Sequence, residues 1–277
     1  MTDRTQNAGN DYALTLSPQE LARYQIMAAQ AREDEAAEWA AAGIIPGARV
    51  ADVGCGPAAI TVTLAAAVAP AGTVHAVDRD PAALTLGRQV VAGAEAGNVT
   101  LSEGSAEASG LPAGSYDTVM MRHVLAHNGG REQAIVDHLA TLVKPGGWVY
   151  LLDIEASAIR LVGDPPAVAA LVELDDRYRS FHAAKGNDLS VGLRLAGLLR
   201  AAGLTSVHQR GWYNIIEPPP GLRPPAWAAI PTMTAAGLVD ADDVARWEKG
   251  FTELDAAVER PTMFVPVFSA RAQRPAR

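Results

Sequence analysis

The sequence predicts an α/β fold, an open and mainly parallel sheet with helices on both faces. Three observations predict it. Short apolar runs rich in β-branched residues alternate with helix-length segments, which is the signature of βαβ units. The tightest and least sterically guarded turn, Gly54-Cys55-Gly56-Pro57, falls between one such run and the apolar segment after it. The chain has 277 residues, 49% of them hydrophobic, enough for one large domain with a sizeable core or for a domain with a small appendage.

The elements follow in order. Ser17-Pro18-Gln19-Glu20 reads as a helix start: Ser17 caps, Pro18 suits the first turn and Glu20 completes a capping box. That helix is expected to run to about Ala42 and stop at Gly43, with Leu21, Tyr24, Ala28 and Ala31 on one face. "ARVADV" (48–53) is the first strand and Ala58–Ala69 the helix after it. "TVHAVD" (73–78) is the second strand, followed by a helix opening at Pro81. "VTLSE" (99–103) and "YDTVMM" (116–121) are the third and fourth, and Arg131–Leu142 is helical. Pro145-Gly146-Gly147 turns into a fifth strand, "WVYLLD" (148–153).

The pattern then changes. Residues 154–188, including "VELDDRYRSFH", read as a charged helical insertion or cap. A helix at Leu189–Ala202 and a strand near Ser206–Ile216 return to the sheet. The proline-rich "EPPPGLRPP" (217–225) breaks regular structure. Asp240–Glu259 reads as a helix, "TMFVPVFSA" (262–270) as the last strand and "RAQRPAR" as a frayed tail. No internal repeat and no long linker divides the chain. The expected organisation is an N-terminal helical segment at 1–44 and a main domain at 45–277 carrying the cap at about 154–188.

Charge and composition exclude several classes. With 23 basic and 31 acidic residues the net charge is −8, which argues against a broad nucleic-acid or anionic-membrane footprint. One cysteine, Cys55, permits no intramolecular disulfide and fits a reducing compartment. The polar start "MTDRTQNAGN" lacks a signal-peptide core. The longest apolar run, Ala58 to Ala71, is shorter than the ~20 residues of a membrane span. A soluble cytoplasmic protein is expected, whose partners are a small molecule and at most a second copy of the chain.

The glycine turn gives the first functional reading. Residues without Cβ atoms let a ligand approach the backbone, and the following helix offers free N–H groups at its positive dipole end. Gly54-x-Gly56-x-x-Ala59 fits the loose dinucleotide fingerprint, and Asp78 ends the second strand 22 positions beyond Gly56. A carboxylate there accepts hydrogen bonds from ribose hydroxyls, or simply caps the helix after Pro81.

"VADVGCGP", "VHAVD", "GSAEASGLPAGSYDTVMMRHVLAH" and "LVKPGGWVYLLD" occur in the order and spacing of class I S-adenosylmethionine-dependent methyltransferases. The sequence resembles the branch acting on small molecules, including quinone C-methyltransferases and natural-product tailoring enzymes. The likeness is strong over about 45–155 and loose over 186–270. It implies a Rossmann-like, seven-stranded, mainly parallel sheet whose antiparallel last strand forms a hairpin with the sixth, an N-terminal helical lid, S-adenosylmethionine as cofactor and S-adenosylhomocysteine as product. It also implies methyl transfer to an O, N or C atom of a small-molecule acceptor, such as a quinone or a secondary metabolite. By the same resemblance Asp52, Gly54, Cys55 and Gly56 surround the methionine moiety. Asp78 takes the ribose, Arg79 lies against the adenine face, and Ser105, Ala106 and Glu107 edge the adenine. Arg122 and His123 lie beneath the methionine facing the substrate, and Tyr24 on the lid reaches the cofactor carboxylate or packs in the core. Two departures stand out: Ser105 where many relatives carry Asp, and Ala58 where glycine is common.

The remaining candidates each carry two readings. His123 serves the pocket, as a base or a contact, or packs structurally. His127 reads as structural. His182, on the cap, deprotonates an acceptor or is a solvated surface residue. His123 and His127 have i, i+4 spacing, but Val124 stands where a zinc peptidase needs Glu, so no metal is expected. Tyr12 extends the lid. Trp212 and Tyr213 line a substrate pocket or belong to a half-buried strand, and Glu173, Asp175 and Asp176 read as a solvated face. "MMRHVLAH" replaces the Asp/Asn-Pro-Pro-Tyr of amino-methylating DNA enzymes, and "DPPA" (164–167) reads as a turn. Two alternatives stay open: a cyclase or cofactor-binding scaffold on the same fold, and an NAD(P)-dependent oxidoreductase. The latter lacks the Tyr-x-x-x-Lys pair of short-chain dehydrogenases.

Overall fold

Parallel pairing of the first five strands sets the frame. The computed structural model describes residues 17–163 and 165–276, so Tyr12 lies outside the described residues. β1 (Arg49–Val53), β2 (Thr73–Asp78), β3 (Val99–Glu103), β4 (Tyr116–Arg122) and β5 (Val143–Ile154) lie in the order β3-β2-β1-β4-β5, all parallel. Chain order reverses between β1 and β4, which opens a crevice beyond their carboxyl ends. The sheet continues with β6 (Arg160–Val162), β7 (Thr205–Ile216) and β8 (Thr262–Gln273). β8 runs antiparallel to β5, and β7 closes that edge antiparallel to β8. The sheet has eight strands rather than the seven implied by the resemblance. The additional strand, β6, extends the β5 side of β8 by pairing with Thr262–Phe264.

Helices cover both faces: α1 (Pro18–Asp34), α2 (Ala36–Ala41), α3 (Ala59–Val68), α4 (Pro81–Gly93), α5 (Glu132–Leu142), α6 (Pro165–Ala184), α7 (Leu195–Ala201), α8 (Pro225–Ala228), α9 (Ile230–Ala235) and α10 (Ala241–Ala256). Strand alternation divides the core. Val119, Met121 and Leu151 face Ile135, Leu139, Leu195 and Leu199, whereas Met120, Tyr150 and Leu152 face Trp39, Leu64 and Val68. A sheet buried on both faces needs apolar residues at every position, which is why these strands read as continuous apolar runs.

Several boundaries differ from the sequence reading. Ser17 Oγ accepts from Glu20 N–H at 3.2 Å, but the Glu20 carboxylate pairs with Arg23, so the capping box is half formed. The first helix breaks at Glu35 instead of running to Ala42. The Pro145-Gly146-Gly147 turn lies within β5, and α6 begins at Pro165 inside the stretch read as a turn. The tail is not frayed throughout. β8 runs to Gln273, and Arg274 N–H donates to Gly147 O at 2.8 Å.

The cap is larger than residues 154–188. Leu171, Leu174 and Phe181 of α6 share a buried cluster with Ala229, Met233, Trp247 and Phe251 from the segment between β7 and β8. Two stretches far apart in sequence therefore build one apolar body over the sheet. Gly129, beyond β4, comes so close to the Gly186 carbonyl that no Cβ fits there, and its N–H donates to Asn187 Oδ1 at 3.0 Å.

Glu35 explains the helix break and the docking of α1 and α2. Its carboxylate is 2% exposed and accepts from Arg122 (2.5 Å), Tyr150 Oη (2.8 Å) and Trp39 Nε1 (3.0 Å). One carboxylate thus ties the N-terminal helices to β4 and β5. Glu35→Ala leaves a buried guanidinium without a counter-ion and is expected to cost about 3–5 kcal/mol in urea unfolding. A loss under about 1 kcal/mol would mark the pair as solvent-screened.

Candidate active site

The crevice at the strand ends holds a cavity of about 560 Å³. Its floor is the turn between β1 and α3. Gly54, Gly56 and Ala58 have φ of 83°, 53° and 63°, the left-handed region that glycine adopts without strain and alanine does not. A Cβ on Gly54 would also run into Val124 Cγ2. Gly54 N–H (2.7 Å) and Cys55 N–H (3.1 Å) both donate to Val77 O, and Gly56 N–H donates to Asp78 Oδ2 at 2.7 Å. The turn is thereby fixed to the end of β2. Ala58 caps α3 without a side-chain bond, leaving the first N–H groups of α3 at the turn.

Buried acids surround this floor. Asp78 Oδ1 also accepts from Asp80 N–H at 2.9 Å, and each carboxylate oxygen keeps a further lone pair. Burial raises the Asp78 pKa against the lowering effect of these two N–H groups. Burial likewise pushes Asp52 up to about 6, although Thr61 Oγ1 donates to it at 2.7 Å. Asp153, at the end of β5, is pushed up by burial to about 7; Oδ2 accepts from Ala126 N–H at 3.2 Å. Burial also raises the Cys55 thiol, so it stays protonated.

Each residue assigned to the cofactor from the sequence lines this one cavity: Tyr24, Asp52, Gly54, Cys55, Gly56, Asp78, Arg79, Ser105, Ala106, Glu107, Arg122 and His123. Tyr24, reaching down from α1, lies over Gly56, with its hydroxyl 3.9 Å from where a Cβ would be. Ser105 Oγ accepts from Ala108 N–H at 3.0 Å, and Glu107 pairs with Arg131 at 3.5 Å. Arg122 is held by Glu35 through one nitrogen, while its buried Nε finds no partner among the described residues.

The histidines separate. His123 sits in the left-handed region with φ 54°, lines the cavity, and places Nδ1 3.9 Å from Asp153 Oδ1. Burial, then Arg122 and Arg23, hold its pKa well below the usual imidazole value. His127 also lines the cavity, with its pKa lowered by burial to about 3. His182 is neither a cavity residue nor a solvated one. It is 2% exposed, edge-on to Tyr178 and Phe181, with Nδ1 2.9 Å from Asn187 Nδ2. Its pKa is lowered by burial to about 4, which fits a neutral packing role. Among the described residues no cluster of three or more His, Cys, Asp or Glu side chains could hold a metal ion.

The rest of the cavity is mainly apolar, walled by Leu171, Ile216, Leu222, Phe251, Met263 and Val265, with Arg160, Arg179 and Arg223 also lining it. Asp175 also reaches this cavity, whereas Glu173 is bonded to Arg246 on α10. Trp212 borders a small adjoining cavity, but strand alternation turns Tyr213 outward at 55% exposure. Sequence reading missed Glu35, Thr61, Asp153 and Asn214. Only Asp153 carried a signal, an acid ending a strand in the manner of Asp78.

The fold is that of Rossmann-like methyltransferases, and residues 50–147 match the family described as "Methyltransferase domain". The chain is 34% identical over 117 residues to a demethylmenaquinone methyltransferase of Geobacillus sp. (strain WCH70), covering 42% of this chain and 49% of that protein. It is 29% identical over 174 residues to a ubiquinone biosynthesis O-methyltransferase of Burkholderia thailandensis, covering 60% and 68%. The chain thus spans about half the length of the first of these relatives. The crystal structure of a putative methyltransferase from Bacillus halodurans C-125 has the same fold, with TM-score 0.56 and 19% identity over 88% of this chain and 99% of that one.

Gly54→Ala tests the floor. The left-handed φ costs about 1–2 kcal/mol for alanine, and the overlap with Val124 adds about 1–3 kcal/mol. Adding Val124→Ala is expected to recover the second part and leave the first, as read by denaturant unfolding of the single and double variants. Equal losses in both would remove Val124 from the account.

Proposed function

We propose that the chain transfers a methyl group from S-adenosylmethionine to an O, N or C atom of a small-molecule acceptor. The observation that carries this reading is one continuous cavity with two chemically different ends. One end has bare glycine backbone facing the Asp78 carboxylate, and the other has apolar walls. The residues present fit the cofactor. The turn admits a close backbone contact, Asp78 has lone pairs for a ribose, and Arg122 Nε is a buried donor without a partner. The similarity to quinone methyltransferases supports a small-molecule acceptor.

When bound, S-adenosylmethionine supplies a methyl group already activated by its sulfonium. The chain's task is then to orient and to exclude water. Asp52 and Gly54–Gly56 would surround the methionine part and Asp78 would take the ribose, with Arg79 and the Ser105–Glu107 segment along the base. Tyr24 and α1 close the cavity over the turn. His123 is the candidate base: it lines the cavity, and burial keeps its imidazole neutral and so able to accept a proton. We place this activity in the cytoplasm, a reading supported by the single free and buried cysteine. Among the described residues no helix is long and apolar enough to cross a membrane.

Calorimetric titration with S-adenosylhomocysteine beside NAD(P)⁺ is the direct test: saturable binding of the first and none of the second is expected. Asp78→Ala should weaken S-adenosylhomocysteine by about 1–3 kcal/mol, and unchanged affinity would remove Asp78 from the ribose site. The pH dependence has a definite sign. Asp52 and Asp153 ionise as pH rises through about 6 and 7, and a cation favours their ionised forms. Affinity for S-adenosylmethionine should therefore climb between about pH 5.5 and 8. The gain is about tenfold per carboxylate whose pKa drops by about one unit on binding. S-adenosylhomocysteine, without the sulfonium charge, should show a shallower rise; identical profiles would contradict this electrostatic account.

A further inference from the structure

The mainly apolar end of the cavity contains an amide whose orientation the structure fixes. Trp212, Asn214 and Ile216 alternate along β7 toward the inner side, while Tyr213 and Ile215 are exposed. The Trp212 indole N–H donates to Asn214 Oδ1 at 2.7 Å. An indole nitrogen only donates, so the bond decides which way the amide lies: Oδ1 toward Trp212 and the NH₂ group away from it. Among the described residues nothing accepts a hydrogen bond from Asn214 Nδ2. Asn214 lines the main cavity and also the small adjoining one, in company with Arg122 and His123. It therefore stands beside the strand end that carries Arg122 and His123.

We propose that Asn214 is a specificity-determining residue for the acceptor. Its amide N–H donates to a carbonyl or hydroxyl oxygen of an otherwise apolar, uncharged molecule, and Trp212 is the positioning residue that keeps the donor turned inward. Three features support this chemistry. Three amide side chains line the cavity, Gln30, Asn128 and Asn214; Asn128 Nδ2 already donates to Val124 O at 2.7 Å, and Asn214 is the one whose amide an indole orients. An ammonium group would set N–H against N–H at Asn214. A carboxylate would give up its hydration on entering these walls, and the cation lining the same small cavity, Arg122, is already paired with Glu35. An unmade bond to a buried oxygen costs far more than a missing methylene, so one such donor discriminates strongly.

The inference rests on the reading of the cavity as a cofactor site joined to an acceptor site, and the experiment separates the two. S-adenosylhomocysteine binding is measured first by calorimetry, and its absence would overturn that reading. The loaded protein is then titrated with three probes of matched shape: 2-acetylnaphthalene, 2-isopropylnaphthalene and 2-naphthoate. The native chain is expected to bind the ketone about tenfold more tightly than the hydrocarbon, and the carboxylate weakest. Asn214→Leu should bring ketone and hydrocarbon within about twofold. Asn214→Asp keeps an acceptor for Trp212 and removes the donor, so it should lose the preference in a chain with its Trp212 contact intact. Trp212→Phe leaves Asn214 in place with a free amide and should give an intermediate ratio, which a purely structural role for Trp212 would not shift. S-adenosylhomocysteine affinity should stay constant across the three variants. The proposal is overturned if the ketone preference survives in Asn214→Leu and Asn214→Asp, if naphthoate binds best, or if no probe binds the loaded native chain.

Discussion

The hydrogen bond from Gly56 N–H to Asp78 is the interaction on which the site depends. It joins the end of β2 to the turn leaving β1, beside the two bonds from Gly54 and Cys55 to Val77 O. Those bonds go with left-handed backbone at Gly54 and Gly56, where the absence of a Cβ leaves the backbone open to the cavity. A turn anchored in this way cannot relax into the crevice, and space for a ligand is left at the point where strand order reverses. The left-handed alanine that follows, Ala58, is the strained residue of the set, and it is fully buried.

The two ends of the cavity obey different physics. Around the turn, Asp52, Asp78 and Asp153 are acids whose burial outweighs the hydrogen bonds they receive, so all three hold protons more tightly than in water. A positively charged ligand offsets that burial cost, whereas an apolar one does not. At the other end the cap supplies Leu171, Phe251 and their neighbours, which favour an apolar body and leave recognition to a few polar groups. In the function proposed above, a sulfonium and an apolar acceptor each find an environment that the other would not.

The N-terminal helices are held by electrostatics as well as by packing. Trp39 packs in the core against Val68 and Met120, and its indole N–H also donates to Glu35. Glu35 in turn grips Arg122 at the mouth of β4, beside His123. The position of α1 over the glycine turn is thereby coupled to the strand end that carries the candidate base. A buried ion pair does this with a defined geometry, at the expense of desolvating both partners.

What the sequence by itself determined is what local chemistry encodes. The alternation of β-branched runs with helix-length segments carried the parallel sheet. The glycine turn and the strand-end acid Asp78 carried the position of the crevice, and motif order placed Ser105–Glu107 and Arg122-His123 along it. Tertiary structure alone decided the rest. Glu35 and Arg122 lie 87 residues apart, and nothing in either neighbourhood marks the pair. The cap joins α6 to α10 across the last strands of the sheet, so the helix at 241–256 looked like any surface helix until Trp247 and Phe251 met Leu174. His182 read as a base on the cap or a solvated residue because nothing in its local sequence marks the aromatic contacts that bury it. Asn214 is an unremarkable polar residue on a strand until the Trp212 indole turns its amide. Periodicity and turn residues act within a few positions of themselves, whereas burial and pairing depend on which distant segments the closed sheet brings together.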